Sequence, residues 1–129
     1  MNKRIPRPTD AELEILQVLW QRGPSTVREV QEELIQNRQT GYTTVLKLMQ
    51  IMTEKGLVER DQTQRAHVYR ACMPQDLTQR QLIGDLLEKA FEGSAAKLVM
   101  QALEAKKASS DDLSEIRKLL DEYERTGRR

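Results

Sequence analysis

"GYTTVLKLMQIMTEKGLV", residues 41–58, decides how the rest of the chain reads. Val45, Leu48, Met49 and Met52 fall at i, i+3, i+4 and i+7, the spacing of one apolar face of an amphipathic helix. Gly56 stops that helix, and Lys55 in its last turn suits the negative end of the helix dipole. The opposite face is unusual near its start. It carries Tyr42, Thr43, Thr44, Leu46 and Lys47 in place of the Glu- and Lys-rich coat of an ordinary surface helix, and no acid occurs between Arg38 and Glu54. Behind Gly56 the period changes. "LVERDQTQRAHVYRA" reads as two short strands, Leu57 to Arg60 and about Ala66 to Ala71, joined by the polar turn "DQTQ".

Two helices precede this stretch. Thr9 and Glu12 have capping-box spacing, and Ile15, Leu16, Leu19 and Trp20 give the first helix an inward face. Gly23, expected in a left-handed cap, and Pro24 end it. Ser25 or Thr26 caps the second helix, Thr26 and Glu29 again at capping-box spacing, with Val27, Val30 and Leu34 inward. Arg28, Gln31, Glu32 and Glu33 then face out, and the polar run "NRQTG" makes a turn. Three helices followed by a small hairpin is the order of a winged helix, its second and third helices forming a helix-turn-helix.

After Pro74 the chain is helical again. Its three stripes run Leu82, Ile83, Leu86, Leu87, Ala90 and Phe91; Leu98, Val99, Ala102 and Leu103; and Leu113, Ile116, Leu119, Leu120 and Tyr123. The third stripe opens on a capping box at Ser109 and Asp112. Helices this short do not enclose a core of their own, so they are expected to pack against a second chain. The expected fold is mainly α. A winged helix-turn-helix at 1–73, with three helices and a β-hairpin wing, precedes a three-helix dimerisation domain at 74–129. The pairing residues are Leu82, Leu86, Leu87, Phe91, Leu98, Val99, Leu103, Leu113, Ile116, Leu120 and Tyr123.

Composition narrows the function. Lys and Arg number 21 against 20 Asp and Glu, so attraction to nucleic acid has to come from a local patch. Between Arg38 and Arg70 there are 6 basic and 3 acidic residues, a local +3. Cys72 is the one cysteine, which excludes an internal disulfide and favours a cytoplasmic setting. No run approaches the ~18 apolar residues of a membrane helix. The basic start at Lys3, Arg4 and Arg7 has no apolar segment behind it, so it is not a signal peptide; it reads as a solvated tail, the alternative being a basic arm that touches phosphates. One His and one Cys do not make a metal cluster, and Cys72 is expected to be buried. No Gly-rich phosphate loop or catalytic constellation is present, so neither an enzyme nor a cofactor is expected.

The leading face of the third helix fits a major groove, which admits a helix whose first turns meet base edges. Thr43 and Thr44 offer hydroxyls, Leu46 an apolar contact to a thymine methyl, and Lys47 a cation for guanine or phosphate. Tyr42, just before the helix, is placed for a phosphate. Arg65 and His67 on the hairpin, with Arg60 and Arg70, offer grips on the backbone. The competing readings are solvated side chains with Thr43 as an N-cap, a winged helix that docks on protein, and a ligand-, metal- or redox-responsive regulator. Lack of acid and of large apolar side chains on the leading face favours DNA.

"PTDAELEILQVLWQRGPSTVREVQEEL", "TTVLKLMQIMTEKGLV" and "RAHVYRA" together resemble the penicillinase-repressor (BlaI/MecI/CopY) family of bacterial repressors across nearly the whole chain. The resemblance implies an N-terminal winged helix, a C-terminal helical dimerisation domain and homodimer binding to inverted-repeat operator DNA. It also implies negative regulation of transcription relieved when a membrane-bound sensor peptidase cuts the dimerisation domain. Two departures stand out. The cysteine-rich metal motif of the copper-responsive branch is absent, and the Asn-Phe cleavage pair of the beta-lactam repressors is replaced at the matching position by Gln101 and Ala102.

Overall fold

The computed structural model describes residues 6–35 and 40–127. The tail residues Lys3 and Arg4, and Asn37, Arg38 and Gln39 of the expected polar turn, lie outside the described residues. The chain divides into two compact units, Met1–Gly84 and Asp85–Arg129.

The first unit holds α1 (Asp10–Arg22), α2 (Val27–Ile35), α3 (Tyr42–Lys55), β1 (Val58–Asp61) and β2 (Val68–Ala71). Thr9 and Glu12 close the expected capping box at the start of α1. Gly23 has positive φ (91°) but ψ of −170°, so it does not form the left-handed cap expected of it. The chain leaves it extended, which delivers Ser25 to the edge of the hairpin, where Ser25 and Tyr69 exchange both backbone hydrogen bonds (2.9 and 2.8 Å). Gly56 is left-handed (φ 83°), and the following N–H groups turn back onto the helix: Gly56 to the Thr53 carbonyl at 3.2 Å and Leu57 to Met52 at 2.9 Å. Both bonds satisfy terminal carbonyls of α3 in a Schellman motif. Leu57 is thereby committed to the helix cap, and β1 starts one residue later than expected. The hairpin is antiparallel with Val58 opposite Ala71 and Asp61 opposite Val68, so Ala66 and His67 belong to the wing tip and not to β2.

One core serves this unit. Ile15, Leu16, Val18 and Leu19 of α1 meet Val27, Val30 and Leu34 of α2 and Val45, Met49 and Met52 of α3, closed over by Leu57, Val58 and Tyr69 of the hairpin. Leu48 and Trp20, both expected to face inward, are only partly buried against this core. Trp20 donates its indole N–H to the Met73 carbonyl (3.0 Å), tying the end of β2 to α1. Glu12 is 2% exposed and receives Lys55 at 2.7 Å, which pins the start of α1 to the end of α3. Thr78, in the first turns of α4 (Gln75–Ala90), is also buried. The start of α4 therefore packs with the first unit, which extends to Gly84.

The second unit contains the rest of α4, α5 (Ala95–Ala105) and α6 (Ser110–Thr126). Ser94 caps α5, and Ser109 with Asp112 forms the expected capping box of α6. No residue of α5 or α6 is buried. Leu86, Val99, Leu103, Leu113, Leu120 and Tyr123 are exposed, together with Met100 and Leu119; Leu82, Leu87, Phe91, Leu98 and Ile116 are intermediate.

Candidate nucleic-acid interface

The local chemistry of α2 sets one wall of a groove. Thr26 Oγ1 accepts from the Glu29 amide (3.2 Å) and Glu29 Oε1 accepts from the Thr26 amide (2.9 Å). This box fixes the first turn of α2 and with it Arg28. The Glu29 carboxylate also receives Arg22 at 3.3 Å, so its charge is engaged with α1. Gln31 donates to the Thr40 carbonyl (3.4 Å), holding α2 beside the start of α3.

α3 begins at Tyr42, two residues earlier than a Thr43 cap would require. Its N-cap is Gly41, which has no side chain to bond the first amides. Thr43 is thus free of the capping duty that was the bland reading of it, and Tyr42 stands in the first turn rather than before the helix. The Arg28 guanidinium lies over the Tyr42 ring, 5.1 Å from its centroid, at a distance where cation and ring attract.

The groove runs between these two helix starts and the wing tip. Its polar lining is Thr26, Arg28, Tyr42, Arg65 and His67, over a floor of Val27, Leu46, Ala66 and Tyr69. Among the described residues no carboxylate lines it, so Arg28 and Arg65 leave it positive. Leu46 leans on the hydrophobic core and forms part of the floor instead of projecting freely. Thr43, Thr44 and Lys47 are exposed on the adjoining surface of α3, outside the groove itself.

The wing divides its cations between two recesses. Glu59 pairs with Arg70 across the hairpin, and the two side chains form an ion pair at 2.6 Å. They line a second recess with Arg60, Asp61, Val68 and Pro24. Arg65 and His67 join the groove; Arg60 and Arg70 do not. Asp61 accepts from the amide and hydroxyl of Thr63 (2.9 and 2.7 Å), which bends the wing turn and holds the Asp61 carboxyl below its ordinary value.

Cys72, expected to be buried, is exposed. It lies one residue past β2, where the chain leaves the sheet, and partial desolvation pushes its thiol up. Among the described residues no group of three or more His, Cys, Asp or Glu is placed to hold a metal. Among them, too, no helix is long and apolar enough to cross a membrane.

Three helices, a two-stranded wing and a positive groove at the start of the third helix define a winged helix-turn-helix suited to a polyanion. The penicillinase repressor family matches residues 8–122, and the chain belongs to that family. It is 31% identical over 122 residues to the transcriptional regulator BlaI of Mycobacterium tuberculosis, covering 94% of this chain and 88% of that one. It is 24% identical to the penicillinase repressor of Bacillus licheniformis, with 94% of each chain covered. The solution structure of the DNA-binding domain of the repressor BlaI matches with a TM-score of 0.50 and 27% identity, over 57% of this chain and 90% of that one. The monomeric form of Bacillus licheniformis BlaI, solved with the blaP half-operator, matches equally (TM-score 0.50, 27% identity, 58% and 92%).

Sequence reasoning missed Arg28, which it set among solvated outer residues of the second helix. The signal that finds it is positional: a cation in the first turn of the helix preceding the recognition helix, with no acid from Arg38 to Lys47 to neutralise that corner. It also missed the Ser25–Tyr69 bridge and the Glu12–Lys55 pair, both of which join distant parts of the chain.

Proposed function

We propose that this protein is a sequence-specific repressor of transcription that binds an inverted-repeat operator as a homodimer. The observation that carries the reading is the acid-free groove shared by α2, α3 and the wing, on a fold that matches a repressor solved with its half-operator. Thr43, Thr44 and Lys47, exposed on the first turns of α3, read base edges. Tyr42, Arg65 and His67 meet the backbone and fix register.

Residues 74–129 serve pairing, with the first turns of α4 packed into the reading unit. The support is the apolar surface of α4–α6: Met100 and Leu120 are each 58% exposed and Tyr123 49%. Exposed large apolar side chains in such number favour an interaction site. Two linked heads make the second half-site contact intramolecular, which raises avidity by roughly 10² to 10⁴.

Release follows when a sensor peptidase cuts within this region. Gln101 and Ala102 are exposed on α5, a helix with no buried residue, so local opening toward a protease costs little. Footprinting on the DNA upstream of the protein's own gene tests the reading. The expected result is a protected region with two-fold symmetry and half-sites in register on the helix; protection of a single half-site overturns the dimer.

A further inference from the structure

The Arg28–Tyr42 contact joins two elements that the sequence keeps apart. Arg28 is exposed in the first turn of α2, and Tyr42 is the first residue of α3. Three cations of the winged helix are held by carboxylates: Arg22 by Glu29 and Glu33, Lys55 by Glu12, and Arg70 by Glu59. Among the described residues no ion pair engages Arg28, and its guanidinium lies over an aromatic face. A guanidinium stacked on a ring keeps its N–H fork at the edge, free for a planar or bidentate acceptor. The tyrosine gains as well. At 40% exposure its ring is free to take other rotamers, and the cation above it favours one.

We propose that Arg28 and Tyr42 form one composite contact to a backbone phosphate of duplex DNA. The Arg28 guanidinium meets the phosphate while its stack on the ring sets the direction in which Tyr42 presents its hydroxyl. The contact rests on the DNA-reading assignment of the groove and adds to it a residue of α2 that fixes how deep α3 sits. The first amides of α3 receive no side-chain cap from Gly41, and Tyr42, the first residue of that helix, lines the groove. A phosphate contact carries no sequence information, so its removal has a signature distinct from that of a base contact.

The test uses the full chain and random-sequence duplex DNA, titrated across a range of salt concentrations. Arg28→Ala should weaken binding roughly tenfold, the scale of one charge-assisted hydrogen bond. The slope of log affinity against log salt should fall by about 0.9, one phosphate. Arg28→Lys should keep the slope, because the charge remains, but recover only part of the affinity, because a lysine does not stack as a planar fork. Tyr42→Ala should cost less in the Arg28→Ala background than in the parent, since the two act as one unit. A merely structural role for Arg28 leaves the salt slope untouched, and an unchanged slope in Arg28→Ala, with the melting temperature preserved, overturns the proposal. Additive losses from Arg28→Ala and Tyr42→Ala overturn the shared contact. If the parent itself shows no salt-dependent binding, the DNA reading fails and takes this proposal with it; if Lys47→Ala weakens binding while Arg28→Ala does not, only the proposal fails.

Discussion

At the level of single residues, Thr44 and Lys47 divide labour with their helical neighbours. Val45, Met49 and Met52 are fully buried, so α3 has no freedom to roll, and the exposed pair is presented at a fixed angle. Thr44→Ala and Lys47→Ala should each leave the melting temperature unchanged and weaken operator binding by about 1–3 kcal/mol, with the loss concentrated at particular base pairs. A gel-shift titration against single-base operator variants checks this, and parent-like binding by both removes them from the recognition surface. Glu12 makes a different kind of contribution. Burial raises its carboxyl pKa, but the hydrogen bonds from Lys55 and Thr9 and the charge of Lys55 outweigh that and leave it below the ordinary 4.5. As pH falls, the unfolded chain therefore takes the proton before the folded one does. The contribution is complete above pH 4.5 and is lost as pH falls through the lower folded value. The melting temperature should decline across that acid range in the parent and less steeply in Glu12→Gln, as thermal denaturation at stepped pH will record.

Among the elements, the wing is the one whose faces differ most. Arg70 is engaged by Glu59, whereas Arg65 and His67 line the groove and are the wing's contribution to a phosphate contact there. Arg65→Ala should weaken binding to operator and to random duplex alike and reduce the salt slope by about 0.9. Selective loss on the operator would move Arg65 from backbone to base readout. Elements built from local rules were legible in the sequence: the capping boxes at Thr9, Thr26 and Ser109 each lie within one turn and formed as expected. The contacts that escaped are non-local. Nothing within a few residues of Ser25 announces that it pairs with Tyr69, because the partner is brought there by the folding of α2 and α3 between them. Cys72 was misplaced for a related reason. Its composition class suggested burial, but burial at a strand end depends on what covers that end, which no local pattern records.

For the whole molecule, every buried residue among those described lies in the first unit, and the apolar stripes of α5 and α6 remain uncovered among them. A fragment ending at Gly84 keeps Thr78 and the Trp20–Met73 bond and should fold as a monomer, while the full chain should sediment as a dimer. The fragment should hold the full operator roughly 10² to 10⁴ less tightly at the same salt. Equal affinity would mean that control acts on the winged helix itself. The hydrogen bond from the Trp20 indole to Met73 has one more consequence, an optical one. Trp20 is the sole tryptophan in the chain, so all of the protein's indole emission originates at the point where β2 hands over to α4. Its fluorescence reports wetting of that junction, so a shift in emission maximum follows loosening of the α4 attachment without any label.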